Sequence, residues 1–255
     1  MKLIDTHTHL YLSEFDNDIE LVISNAIQDG VDKFLLPNID KDSILSIREL
    51  EKKFPQNVYC MMGLHPTSVK EDYLTQLKIV ESELEKNSYK AVGEIGIDLY
   101  WDKTFLQQQQ EAFRFQLNLA IKHNLPVAIH SRDSFDEIIE VLNEFENTQI
   151  RGVFHCFSGN SIQALEVIKR GFLLGIGGVV TFKNSGLDDV LRNVKLENLV
   201  IETDSPFLAP VPFRGKRNES KYCLQIADKI ASIYQISIEE VAKITTENAQ
   251  KLFKI

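Results

Sequence analysis

Five of the six histidines in this 255-residue sequence closely follow short apolar segments. These five are His7, His9, His65, His130 and His155. His123 is the exception and lies near the end of a segment with helical periodicity, where a cation suits the helix dipole. Neutral imidazole is a frequent ligand of divalent metal ions and a frequent proton carrier. The distribution therefore indicates a metal centre or an acid–base site, provided that the fold gathers the five histidines.

The histidine motifs carry different weight singly and together. In the segment 5–9, His7 and His9 alternate along an extended chain, so both could face one ion. Taken alone, this His-x-His motif favours a structural interpretation, because histidine has several roles unrelated to metals. The segments 130–133 and 155–159 each begin with a histidine at the end of an apolar segment. A buried structural histidine explains any one of these motifs but explains the whole set poorly.

Two carboxylates occupy similar positions. Glu94 ends an apolar segment, and Asp204 follows the segment Leu199–Glu202. A buried carboxylate is costly unless it is paired, so Glu94 is expected beneath a cation or, equally well, beside an arginine or lysine. Asp98, further along, is expected to support the site from a loop. Asp204 could bind metal and also accept the proton of an attacking water, although a turn before Pro206 is the simpler alternative for it alone.

Eight short segments rich in β-branched and other apolar residues are predicted to be strands. They are Leu3–Thr6, Lys33–Leu36, Val58–Gly63, Ala91–Glu94, Val127–His130, Gly152–His155, Leu173–Gly177 and Leu199–Glu202. Amphipathic segments alternate with them, and two more helices follow, the last opened by a capping box from Ser237 to Glu240. This pattern predicts a (β/α)8 TIM barrel that occupies residues 1–255 as a single α/β domain. The five histidines would then meet at the rim formed by the C-terminal ends of the strands.

The rim would carry a predicted set of six metal ligands. They are His7, His9, Glu94, His130, His155 and Asp204. Four imidazoles and two carboxylates exceed what one tetrahedral zinc ion needs. The surplus favours two divalent ions with Glu94 bridging them, at a separation of about 3.5–4 Å suited to hydrolytic attack on phosphorus.

Composition narrows the class of protein. The net charge of −9 argues against general coating of nucleic acid, but not against a nucleic-acid enzyme, because bound metal would reverse the local field. Three scattered cysteines suggest no disulfide framework. No segment resembles a signal peptide or a membrane span, so we expect a cytoplasmic protein without membrane attachment or a stable protein partner. Gly-x-Ser-x-Gly and P-loop motifs are absent, and Gly175–Gly178 lacks dinucleotide-binding spacing.

The order of these motifs resembles the TatD family of metal-dependent deoxyribonucleases within the amidohydrolase superfamily. The resemblance extends over almost the whole chain. It rests on DTHTHL, GLHP, GEIGIDLY, the segment Gln107–Phe113, LPVAIHSRDS, HCFSG, VVTFKN, ETDSPFLAPVPFRGKRNES and TTENAQKLF. There are three small departures. Leu99 stands where an aromatic residue is common, and Gly175 stands where serine is common. Ser220 stands where a proline often follows the pair Asn-Glu. None of them affects a predicted ligand.

The resemblance implies roles for individual residues. The six predicted ligands match the metal ligands of the family, and His65 and Arg132 match positions that grip substrate phosphate. It also implies magnesium, manganese or zinc as cofactor and DNA as substrate, often with 3′→5′ exonuclease activity. Some relatives are credited with removing D-amino acids from tRNA.

The leading hypothesis is a phosphodiesterase that acts on DNA ends or single strands, with Glu94 and Asp204 as catalytic residues. A basic loop with Arg214, Lys216 and Arg217 supports a polyanionic substrate, although a solvated loop is an equal alternative. The alternatives are a deacylase or amidase with the same metals, such as a D-aminoacyl-tRNA deacylase, and a binding protein with a vestigial site. The complete ligand set makes the vestigial site the weakest hypothesis.

Overall fold

In the computed structural model, which describes residues 1–255, parallel strands alternate with helices along the whole chain. The strands are β1 (Leu3–Asp5), β2 (Val31–Leu36), β3 (Val58–Cys60), β4 (Val92–Asp98), β5 (Val127–Arg132), β6 (Gly152–Phe154), β7 (Phe172–Ile176) and β8 (Leu199–Ile201). All eight predicted strands are present, although β4 and β5 extend further than predicted. Several others end earlier, and β1 stops at Asp5 before either histidine of its motif.

The helices follow the strands in the order expected of repeated βα units. They are α1 (Ile19–Gln28), α2 (Ile44–Lys53), α3 (Tyr73–Lys86), α4 (Leu106–His123), α5 (Phe135–Asn143), α6 (Ser161–Lys169), α7 (Leu187–Arg192), α8 (Cys223–Tyr234) and α9 (Ile238–Phe253). At the start of α9 the Ser237 hydroxyl accepts a bond from the Glu240 backbone, but the return bond of the predicted capping box is not formed. None of the helices combines the length and the apolar character needed to cross a membrane.

Hydrogen bonds close the strands into a barrel. The regular hydrogen-bond ladders form two parallel groups of neighbouring strands. One group runs in the order β1, β2, β3 and the other in the order β4, β5, β6, β7, β8. Met62 bridges to Val92 between β3 and β4. On the other side, the Thr6 backbone donates to Ile201 at 3.1 Å, and the Asp204 backbone donates to His7 at 2.9 Å. The predicted (β/α)8 barrel is therefore confirmed.

The interior of the barrel is apolar at one end and polar at the other. Side chains from the strands or their margins form a compact interior cluster with the end of α9: Ile4, Leu35, Met61, Ala91, Ala128, Val153, Val200, Ala249, Leu252 and Phe253. The Thr246 hydroxyl on α9 donates to the Lys2 carbonyl at 2.9 Å, which places α9 beneath the N-terminal ends of the strands. Polar side chains are left to collect at the opposite, C-terminal rim.

Two buried glutamines of α4 fix the rim where β3 and β4 end. Gln116 exchanges hydrogen bonds with the backbone of Leu64, at 2.7 Å and 3.2 Å. Gln109 does the same with the backbone of Asp98, at 2.8 Å and 3.2 Å. An amide side chain can donate and accept at once, so each glutamine satisfies backbone groups that the short strands leave unpaired. The helix thereby holds the positions next to His65 in place.

Candidate metal centre

All six predicted ligands converge at the C-terminal rim. Glu94 lies within β4 and His130 within β5, whereas the other ligands follow their strands by one to four residues. His7 and His9 were predicted to follow a strand that ends at Thr6, alternating along an extended chain. In the structure β1 ends at Asp5 and both histidines lie on the loop that follows. Nε2 of each ring lies within 4 Å of the same oxygen of Glu94.

Glu94 is the centre of the cluster, and its two oxygens face different histidines. Oε2 lies 3.1 Å from Nε2 of His7 and 3.7 Å from Nε2 of His9. Oε1 lies 2.7 Å from Nδ1 of His130 and 3.5 Å from Nε2 of His155. The carboxylate is only 2% exposed. It therefore stands between two histidine pairs rather than beside one.

Asp204 completes the side of the cluster that contains the first histidine pair. Its Oδ1 lies 3.3 Å from Nε2 of His9, 4.0 Å from Nε2 of His7 and 3.9 Å from Nε2 of His155. The backbone of Asp204 has φ 58°, a left-handed conformation that is uncommon for a residue with a side chain. The turn after β8 thus aims this carboxylate back toward β1.

The spacing of the donor atoms fits a metal centre. Ligands bound to zinc at 2.0–2.1 Å in tetrahedral geometry lie about 3.3 Å from one another. The contacts of Glu94 and Asp204 with His7 and His9 range from 3.1 Å to 4.0 Å, around that value. The rings of His7 and His155 stack with centroids 3.5 Å apart, an arrangement that suits neutral imidazoles better than two cations.

Hydrogen bonds behind the rings determine which nitrogen can bind metal. The Tyr11 hydroxyl donates to the Pro37 carbonyl at 2.7 Å, so its oxygen accepts from Nδ1 of His9 at 2.8 Å. With its proton on Nδ1, His9 presents the bare Nε2 to the cluster. Such partners commonly orient metal-binding histidines and set their tautomer.

A carboxylate lies behind each ring of the second histidine pair, His130 and His155. Nε2 of His130 donates to Asp98 Oδ2 at 2.9 Å, which leaves Nδ1 facing Glu94. Nδ1 of His155 lies 3.0 Å from Glu202 Oε1, an ion-pair distance without the direction of a hydrogen bond. Asp98 was expected to lie on a loop, but it is the last residue of β4, and its support of the site rests on this contact with His130.

His65 differs from the six predicted ligands. Its Nδ1 accepts a hydrogen bond from the Thr67 backbone at 3.2 Å, so a neutral ring carries its proton on Nε2. That Nε2 faces the cluster, 3.2 Å from Glu94 Oε1 and 3.3 Å from Nδ1 of His130. A nitrogen that carries hydrogen can donate to an anion but cannot bind metal.

The carboxylates and the histidines of the cluster shift one another's pKa values. Burial alone would raise the pKa of Glu94, but charge on His65, His7 and His155 outweighs it and holds that pKa well below its usual range. Burial would likewise lower the pKa of His155, yet the carboxylates Glu202 and Glu94 raise it to about 10. In the absence of a metal ion, a proton on His155 balances part of the negative charge.

The predicted substrate-binding arginines lie in different surroundings. Arg132 is exposed at the rim, two residues beyond His130, with its guanidinium carbon 3.8 Å from the ring centroid of Tyr100. Arg214 is also exposed and lies 4.2 Å from the ring of Phe182. Neither forms an ion pair, so both guanidinium groups are available.

Arg217 was predicted to contact substrate, but its guanidinium is already paired with two carboxylates. Its guanidinium donates to both Asp18 oxygens, at 2.8 Å and 2.7 Å, and to Glu219 at 3.1 Å. It also donates to the Glu14 carbonyl at 2.7 Å. With its donors engaged in this way, Arg217 ties the loop after β8 to the start of α1.

Tyr11 and Glu202 also support the site, although neither role was predicted. Glu202 directly follows the apolar strand β8, so the cost of burying an unpaired carboxylate pointed to it as it did to Glu94. A side chain at Gly175 would collide with the Glu202 carboxylate, so glycine leaves room for it there. No sequence pattern points to Tyr11, because its effect on His9 depends on a contact with Pro37 on the neighbouring βα loop.

Comparison with known proteins agrees with this geometry. The model of the TatD related DNase family matches residues 4–254. The uncharacterized metal-dependent hydrolase YabD of Bacillus subtilis is 38% identical over 254 residues, which is 99% of each chain. The uncharacterized metal-dependent hydrolase YcfH of Escherichia coli K12 is 33% identical over 260 residues, covering 100% of this chain and 97% of YcfH.

A solved structure extends the agreement to three dimensions. The crystal structure of YjjV, a TatD homologue from Escherichia coli K12, superposes with a TM-score of 0.93 at 29% identity, covering 99% of this chain and 98% of YjjV. The sequence match and the fold cover the same length. The chain therefore belongs to the TatD related DNase family of metal-dependent hydrolases.

Proposed function

We propose that this protein hydrolyses phosphodiester bonds of DNA from accessible 3′ ends or single strands, with two divalent metal ions. The observation that carries the proposal is the position of Arg132, an unpaired guanidinium exposed two residues beyond His130. A planar guanidinium can grip two oxygens of a phosphate. An anionic reacting group uses this residue, whereas a neutral carbonyl does not.

The two faces of Glu94 support a bridging role between two ions. One ion would be held by Glu94, His7, His9 and Asp204, and the other by Glu94, His130 and His155. When bound, such ions stabilise charge on a phosphoryl group and lower the pKa of a water molecule. The nitrogen-rich donor set favours zinc over magnesium as the resident ion.

Asp204 is the best placed residue to accept the proton of the attacking water. Its side chain is 14% exposed, whereas Glu94 is buried beneath the histidines. Its pKa lies below the usual range: burial opposes this shift, but the nearby His9 ring, with Nε2 at 3.3 Å, and charge on His155 outweigh it. It is therefore ionised at neutral pH and can act as a base. Asp204→Asn should lower kcat about a hundredfold or more while metal is retained.

His65 and Arg132 are proposed to hold the phosphate from two sides. Nε2 of His65 carries a hydrogen toward the cluster, and Arg132 offers its fork from the rim. Arg132→Lys keeps the charge but loses the planar fork, so KM should rise for a phosphodiester while metal content stays constant. Arg214 is exposed on the loop after β8, where we propose that it meets another phosphate of the same strand.

The deciding experiment compares substrates on the same metal-loaded enzyme. End-labelled single-stranded DNA, duplex DNA and D-aminoacyl-tRNA are each incubated with zinc, manganese or magnesium. We expect shortening of single-stranded DNA from its 3′ end, abolished by Glu94→Ala and by chelation. Arg217→Met serves as the control for loss of a rim cation. Efficient deacylation without DNA cleavage under any metal would overturn the proposal in favour of a deacylase.

A further inference from the structure

An exposed aromatic pair stands beside the metal centre without a structural task of its own. Tyr100 and Trp101 follow β4 and are 53% and 72% exposed. Trp101 is the sole tryptophan of the chain. Single exposed apolar residues are common on protein surfaces, so exposure alone indicates nothing. The surroundings of the pair are more specific.

Arg132 and the two rings form one cluster, which we call the rim platform. The Arg132 guanidinium lies 3.8 Å from the centroid of Tyr100 and 5.5 Å from that of Trp101. The two rings meet edge to face, with centroids 4.8 Å apart and planes at 89°. Arginine occupies the face of Tyr100 at van der Waals distance, while most of Trp101 remains open to solvent.

The rim platform is fixed to the metal centre by one carboxylate. Asp98 Oδ1 accepts from the backbone of Tyr100 at 3.0 Å and of Trp101 at 3.4 Å. Its other oxygen, Oδ2, accepts from Nε2 of His130 at 2.9 Å. The position of the indole is thereby tied to a predicted metal ligand, as expected of a surface that positions substrate for the reaction.

We propose that an unpaired base next to the reacting phosphate stacks on the Trp101 indole while Arg132 contacts that phosphate. The inference rests on the proposed function and specifies its substrate as single-stranded. Every nucleobase presents an aromatic face, so the site would take any base without reading sequence. A base inside a duplex has both faces covered by its neighbours and cannot use this surface.

The test combines a change in the protein with a change in the DNA. Single-stranded oligonucleotides carry either thymine or an abasic residue at the terminal and adjoining positions. With metal-loaded enzyme, Trp101→Ala should raise KM for the thymine substrate about fivefold to 150-fold, the range for one base–aromatic stack. Trp101→Phe should recover most of the loss. The abasic substrate should be insensitive to Trp101→Ala, because the partner of the indole is already missing.

A matched control is available on the same protein. Ile121 is 41% exposed in the last turn of α4, at the opposite end of the barrel. Ile121→Ala removes exposed apolar area without touching the rim and should leave KM unchanged. DNA cleavage with equal KM for thymine and abasic substrates would overturn the platform and leave the proposed function standing.

Fluorescence gives a readout that does not require cleavage. Because Trp101 is the sole tryptophan, all indole emission reports on the rim platform. Oligothymidylate should quench it saturably, whereas a hairpin duplex with closed ends should not. If no DNA is cleaved with any metal, the proposed function is wrong. If oligothymidylate also fails to quench the emission, the rim platform is wrong as well. Equal quenching by hairpin and single strand would also overturn it.

Discussion

Asp98→Asn replaces a carboxylate by an amide of the same shape at a buried position between two partners. The backbone amides of Tyr100 and Trp101 need an acceptor, so the remaining oxygen of the amide should stay with them. The amide nitrogen then faces Nε2 of His130, where Asp98 Oδ2 stands 2.9 Å away in the native protein. Two donors cannot face each other, so His130 must place its proton on Nδ1.

The consequence concerns metal affinity, because Nδ1 of His130 is the atom that faces Glu94 at 2.7 Å. A protonated Nδ1 has no lone pair for a metal ion. Changes to residues that support a metal-binding histidine typically cost 10- to 100-fold in metal affinity. That range corresponds to about 1.4–2.7 kcal/mol. We expect Asp98→Asn to lie toward its upper end, since the amide imposes the wrong tautomer as well as removing a charge.

The assay is a competition between the protein and a chromophoric chelator for zinc, with wild type, Asp98→Asn and Asp98→Ala side by side. The alanine variant loses the anchor of the Tyr100 loop but leaves His130 free to choose its tautomer. Asp98→Asn should therefore bind the second equivalent of zinc less tightly than Asp98→Ala. If the alanine variant binds zinc more weakly than the asparagine variant, Asp98 acts by holding the loop and the tautomer argument is wrong.

Three further predictions follow from other parts of the molecule. Because the pKa of His155 is raised to about 10, the metal-free protein is protonated there at pH 7. Zinc binding should therefore release protons, and the affinity for zinc should rise as the pH rises toward this pKa. Calorimetry in buffers of different ionisation enthalpy measures the proton release, and a binding enthalpy that does not depend on the buffer would refute it. Arg217→Met should lower the free energy of unfolding by about 1 kcal/mol without changing KM. Arg214→Met should do the opposite, raising KM and leaving stability unchanged. Urea titration measures the stability of both variants, and steady-state kinetics measure their KM. Phe253→Ala opens a cavity in the apolar end of the barrel and should cost about 3–5 kcal/mol in the same urea titration; a loss below 1 kcal/mol would show that α9 does not seal it.

The sequence predicts the strands of this fold better than it predicts their ends. β4 was expected to stop at Glu94 but continues to Asp98, paired with Arg132 on β5. Glycine at position 96 weakens the local preference for a strand, and only the pairing with β5 shows that the strand continues. Conversely, β1 ends at Asp5, whose carboxylate accepts from the Thr203 backbone at 2.9 Å. Both ends are decided by neighbours that barrel closure supplies.

The residues of the candidate site also differ in how well the sequence predicts them. Ligands at strand ends were predictable because a parallel barrel gathers them at one rim, whatever the details of the loops. Supporting partners can come from distant parts of the chain: Glu202, which follows β8, reaches His155, which follows β6. Arg217 was misassigned because its partner, Asp18, is 199 residues away. A charge on a loop can be read from sequence, but whether it is already paired depends on which loops meet.

Charge balance links the supporting residues to the number of metal ions. Four carboxylates contact the histidines of the centre: Glu94, Asp204, Asp98 and Glu202. Buried charge of one sign must be compensated, and two divalent ions would match four carboxylates if the histidines were neutral. Without metal, protons on the imidazoles take over part of this task, in agreement with the raised pKa values of His130 and His155. One ion would leave two negative charges to be balanced by retained protons, at nitrogens that would otherwise be ligands. The residues behind the ligands therefore argue for two ions as strongly as the ligands do, and elemental analysis of the purified protein should approach two ions per chain.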